Sequence, residues 1–272
     1  MSDKSPPKPS LQSSSKPASK RSALPVCVDH AEQYGKRVCM SSPTDQWMKA
    51  AKSPDLGDDF VASCIRSFAG IECANPRRVI QGVGSGLRLI HNAEKWSKPQ
   101  VGPGAQNTTL SRGQQWRLVM AYSGLEIMAK ALQGNFSNQS VPGVRKFFSY
   151  LGVYASELVP LPVCKQSSRS KTPEDLLDFL RADNSDRQLL QKWISPANHE
   201  EKKYDWNRSE AIELARIIRN LTAHGILSAT VAIRLNMPTL CSNLTNIIAE
   251  IANYIMKHKL SNISKKGNPN TL

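Results

Sequence analysis

A chain of 272 residues, 40% of them hydrophobic, has the length and apolar content for one large domain or two modest ones. No run approaches the roughly 18–20 apolar residues of a membrane-spanning helix, so a membrane partner is not expected. The net charge of +14 favours polyanions such as RNA, DNA or a ribosome surface as partners.

In chain order, residues 1–25 are low-complexity Ser, Pro and Lys and read as a disordered basic tail. They lack the apolar stretch of a secretory signal, so a cytoplasmic location is expected. The six cysteines then read as free thiols. Cys27, His30 and Cys39 match no common zinc spacing, and neither a metal nor another cofactor is expected.

Residues 26–106 form an N-terminal helical region. "SPDLGDDFVASCIRSFAGI" places acids before an apolar stripe, as a helix dipole favours. "PRRVIQGVGSGLRLIHNAEKW" reads as one or two helices around a glycine hinge, and "GPGAQ" at 102–106 as a boundary. The piece "QGVGSGLRL" has the glycines of a phosphate loop but not its lysine, which favours a turn or hinge.

Residues 107–260 read as a helical bundle. In the helix that includes 109–134, Trp116, Val119, Met120, Ser123, Ile127 and Ala131 recur at three- and four-residue spacing, and Gly134 follows as a stop. "VRKFFSY" mixes Arg145 and Lys146 with aromatics that can stack on bases or fill a core. "KTPEDLLDFLRA" opens with Thr172 as a cap and Pro173 in the first turn. "DRQLLQKWI" continues the helical pattern, and 195–207 reads as a polar loop.

The next helix opens near Ser209, with an apolar stripe of Ala211, Leu214, Ala215, Ile218 and Leu221. "ATVAIRL" is the only segment β-branched enough to suggest a strand, and it precedes the last long helix. The C-terminal tail, 261–272, is basic. The expected class is all-α, a helical bundle with additional N-terminal helices.

One stretch carries chemistry. "ARIIRNLTAHGIL" ends an amphipathic helix with Arg219, Asn220 and His224, and Gly225 is the residue type that stops helices. Arginine keeps its charge and its planar fork suits a phosphate, whereas histidine moves protons near neutrality. The same residues can also serve as a helix-end cap, because cations complement the C-terminal dipole.

The motif R-N-L-T-A-H, residues 219–224, and the helical layout of 108–260 resemble the HEPN family (higher eukaryotes and prokaryotes nucleotide-binding domains). That family's signature is an arginine followed by four to six residues and a histidine. The resemblance implies a four-helix bundle, often a homodimer with two motifs facing each other. It also implies metal-independent endoribonuclease activity by 2′-hydroxyl attack, with non-catalytic binding adaptors as the alternative. Toxin–antitoxin, phage-defence and RNA-processing roles follow as settings, with an antitoxin or regulatory protein as partner. The tyrosine found two residues after the histidine in many toxin members is Ile226 here, which departs from that mode of control. Arg219, His224 and Asn220 are therefore the candidate catalytic residues. Arg216, Arg145 and Lys146 are candidate nucleic-acid contacts, and Glu126 is an acid able to reach the motif.

Overall fold

The computed structural model describes residues 42–96, 106–134, 144–164, 177–178, 184–194 and 203–260. The basic tails, the Cys27–His30–Cys39 set, the glycines of "GPGAQ" and the Thr172 cap lie outside the described residues.

The architecture is all-α with one small two-stranded sheet among the described residues. Helices α1 (Ser42–Ala51), α2 (Gly57–Ala69), α3 (Pro76–Glu94) and α4 (Gln106–Leu132) come first. Short helices α5 (Val144–Ser149) and α6 (Val153–Ser156) lead into strand β1 (Leu158–Pro162). Helix α7 (Asn184–Ile194) and strand β2 (Lys203–Asn207) precede α8 (Arg208–Ala223), α9 (Ala229–Arg234) and α10 (Met237–Tyr254). A π-helical turn, Ile255–Leu260, continues α10.

Local chemistry explains these starts and stops. Asp58 and Asp59 occupy the first turn of α2, and Gly70 ends it in a left-handed conformation at φ 66°. The Asn75 side chain accepts from the Arg78 N–H at 3.1 Å, and Pro76 opens α3. Asn207 does the same for α8, accepting from the Glu210 N–H at 2.8 Å.

α3 is one unbroken helix, not two pieces about a glycine hinge. Its glycines are contact points. A Cβ on Gly86 would lie 2.4 Å from the Gly124 carbonyl oxygen, and one on Gly124 would lie 2.5 Å from the Gly86 oxygen. The α3 and α4 backbones approach so closely that only hydrogen fits between them. A strand also replaces part of the expected 195–207 loop, because β2 pairs antiparallel with β1, Val159 opposite Trp206. Val159, Leu161 and Trp206 turn inward, and the Trp193 indole N–H donates to the Pro162 carbonyl at 3.0 Å. Pro160 and Pro162 are tolerated because β1 pairs with a single strand. The "ATVAIRL" segment is mostly helical as α9, capped by Ser228, whose hydroxyl accepts from the Val231 N–H at 3.3 Å.

Helix α4 is the centre of the assembly, with α3, α8, α9 and α10 packed on it. One hydrophobic core runs from Trp47 of α1 to Leu260, so the N-terminal helices and the bundle share it. The whole apolar stripe expected for α8 is buried in that core. No helix among the described residues is long and apolar enough to cross a membrane.

Candidate functional site

The R-N-L-T-A-H motif lies at the end of α8, where the backbone closes in a Schellman arrangement. His224 is the C-cap, and its N–H donates to the Asn220 carbonyl at 3.0 Å. The Gly225 N–H donates to Thr222 and the Ile226 N–H to Leu221, both at 3.0 Å. Gly225 sits at φ 72°, a value that a Cβ would strain. Ile226 packs on the core and Leu227 is buried, which fastens the turn. From α4, the Gln115 side-chain amide donates to the Leu227 carbonyl at 3.2 Å. The His224 residue itself is exposed to solvent.

Arg219 points from α8 toward α4. Its Nη1 donates to Asn220 Oδ1 at 2.9 Å and its Nη2 to Glu126 Oε2 at 3.3 Å. Its Cζ is 5.8 Å from the centre of the Tyr122 ring. The guanidinium is thus held on three sides, yet 29% of the side chain stays exposed. Tyr122 and Glu126 are one helical turn apart on α4, which lets one arginine meet both. Tyr122 is buried, and burial first, then the nearby Glu213 carboxylate, raises its phenol above the ordinary range. Lys130 also approaches Glu126, at 3.7 Å.

The remaining candidates divide. Arg216 is partly exposed, at 26% of its side chain, but two carboxylates engage its guanidinium. It is held by Asp186 of α7 and by Glu213, whose Oε2 accepts from its Nε at 2.9 Å. Both acids are buried, so Arg216 fastens α7 to α8. Lys146 is exposed on α5, while Phe147 and Phe148 are core residues and Phe147 packs on Phe68. The Arg145 side chain lies outside the described residues. The glycines of "QGVGSGLRL" lie inside α3 and do not form a phosphate loop. Among the described residues, no group of three or more His, Cys, Asp or Glu side chains is placed to hold a metal.

The structure therefore brings Arg219, Asn220 and Glu126 together and adds Tyr122, which the sequence reading had not singled out. The signal was available in the i, i+4 spacing of Tyr122 and Glu126 on α4. The Arg219 side chain meets Asn220, Glu126 and Tyr122, and helix geometry sets His224 on a different side of α8. α8 runs unbroken through Ala223, so five residues carry His224 about 140° around the helix and about 7.5 Å along it. No family model matches this chain, and neither a curated protein nor a solved structure matches it.

Proposed function

We propose that this protein is a HEPN-like RNA endonuclease that cleaves without a metal and completes its site with a second copy of itself. The observation that carries the reading is the pose of Arg219, a permanent cation held by Asn220, Glu126 and Tyr122 yet still open to solvent. A preorganised guanidinium stabilises the charge that builds on a phosphate during transfer. His224 supplies the group that moves a proton.

In the proposed reaction the RNA 2′-oxygen bonds to phosphorus and the bond from phosphorus to the 5′-oxygen breaks. His224 donates a proton to the departing 5′-oxygen, and the proton of the 2′-hydroxyl passes to solvent. The products are a 2′,3′-cyclic phosphate and a 5′-hydroxyl. Helix geometry sets Arg219 and His224 about 140° apart, so the reading places Arg219 of one copy and His224 of the other on a single phosphate.

Mixed dimers test this arrangement. Arg219→Ala and His224→Ala are each inactive alone. Co-expressed, they form a dimer with one complete site and regain a substantial part of the wild-type rate. Failure of the mixed dimer to cleave, with dimerisation intact, rules out the shared site.

The Glu126 contact favours a second reading. A carboxylate 3.3 Å from the guanidinium opposes phosphate binding, as expected if the bundle binds RNA or a protein without cutting RNA. RNA retention without new 5′-hydroxyl ends supports that alternative.

A further inference from the structure

Three of the five tryptophans, Trp47, Trp193 and Trp206, are almost fully buried. The other two are not, with Trp96 42% and Trp116 50% exposed. These two indoles border the same piece of α4. The Trp96 Nε1 lies 3.7 Å from the position a Cβ on Gly113 would take, and Trp116 is three residues, about 4.5 Å of helix rise, further on. Gly113, with no side chain, lets the Trp96 indole approach α4. The end of α3, two residues before Trp96, is tied down by Arg117, whose Nε donates to the Ala93 carbonyl at 2.7 Å. Trp116 is on α4, and Trp96 follows just after the anchored end of α3. Cations border them: Arg112 lies one turn before Trp116 on the same face, Lys95 precedes Trp96, and both are exposed. The exposed acid beside them is Glu94.

The helix that carries Trp116 also holds both ends of the motif. Gln115, next to Trp116, holds Leu227, three residues past His224, while Glu126 further along α4 holds Arg219. Trp116 and Glu126 are ten residues apart on α4, about 15 Å along the helix, so the Trp116 indole and the carboxylate that holds the guanidinium lie on the same element.

We infer that Trp96 and Trp116 form a platform on which unpaired bases of a single-stranded RNA stack, with Arg112 and Lys95 holding its backbone. Aromatic faces accept any base, and adjacent cations track the phosphates. A duplex keeps its bases stacked within itself and offers no free face, so the platform selects single strands. The inference rests on the RNA reading and names the substrate form that the site would take.

The test uses the full chain carrying His224→Ala, which prevents cleavage, and a fluorescein-labelled oligouridylate of about a dozen nucleotides. Anisotropy should show that Trp96→Ala and Trp116→Ala each weaken binding about tenfold. Phenylalanine at either position should keep most of the affinity. Indole emission should fall on binding the single strand and hold steady with a duplex of equal length. Unchanged affinity in both alanine variants, with normal circular dichroism, overturns the platform. So does conversion of a dimer to a monomer by Trp116→Ala, because the patch would then be covered by a second copy. The nuclease reading fails separately. Tryptophan-dependent binding without any cleavage by the unmodified protein supports the platform alone. Cleavage indifferent to both alanine variants overturns the platform and leaves the nuclease standing.

Discussion

The Arg219 guanidinium crosses from α8 to Glu126 of α4 and donates to its carboxylate at 3.3 Å, with Tyr122 alongside. This pair decides whether the cation is available to a phosphate. Glu126→Gln removes the competing charge and leaves a hydrogen-bonding oxygen. RNA affinity should rise, and stability should fall by no more than about 1 kcal/mol, because both side chains are about a third exposed. Anisotropy and urea unfolding measure the two. Weaker RNA binding would mean that Glu126 orients Arg219 more than it neutralises it.

The closest helix contact predicts a second outcome. At Gly86 and Gly124 an added methyl would overlap backbone, which cannot move aside without parting α3 from α4. Alanine in a helix interior gains about 1 kcal/mol over glycine. Forced overpacking at this contact outweighs that gain, for a net loss of about 1–3 kcal/mol. Denaturant midpoints of Gly86→Ala and Gly124→Ala should fall accordingly. A rise in either midpoint would mean that the helices are not so close.

Arg216 offers a contrast with Arg219 three residues later. Asp186→Ala leaves Arg216 with one of its two buried carboxylates and loosens α7 on α8, which the Lys192–Glu210 pair still joins. The expected loss is about 1–3 kcal/mol, at the lower end if water reaches the partly exposed guanidinium. RNA affinity of the folded protein should stay unchanged. A selective loss of RNA binding would return Arg216 to the nucleic-acid surface.

Burial raises the thiols of Cys64 to about 11 and of Cys164 and Cys241 to about 12. The native state keeps these protons longer than the unfolded chain does. Their contribution to stability is therefore complete below the ordinary value of 9.0 and is lost as pH rises through about 11 to 12. Cys241→Ala should make the unfolding temperature fall less steeply above pH 9 than in the unmodified protein. Iodoacetamide should label Cys164 and Cys241 only on unfolding. Rapid labelling of the native protein would contradict their burial.

The helices were legible because their signals are local. The α8 stripe and the Gly225 stop fix face and length through a few neighbouring residues. The two-stranded sheet was not, because β1 and β2 are about forty residues apart, with α7 between them, and "LVPLP" gains its extended form by pairing with "KYDWN". The α3 glycines read as a hinge because the partner that makes them useful, Gly124, lies in another helix. At the candidate site, the R-x-x-x-x-H spacing named Arg219 and His224. Only packing could show that Arg219 meets Tyr122 and Glu126.

The most direct test incubates purified protein with single-stranded RNA in EDTA and analyses the new ends. The account predicts 2′,3′-cyclic phosphate and 5′-hydroxyl termini, abolished by Arg219→Ala and by His224→Ala in variants that fold and self-associate normally. Intact RNA after prolonged incubation with the unmodified protein, or cleavage that persists in both variants, would contradict it.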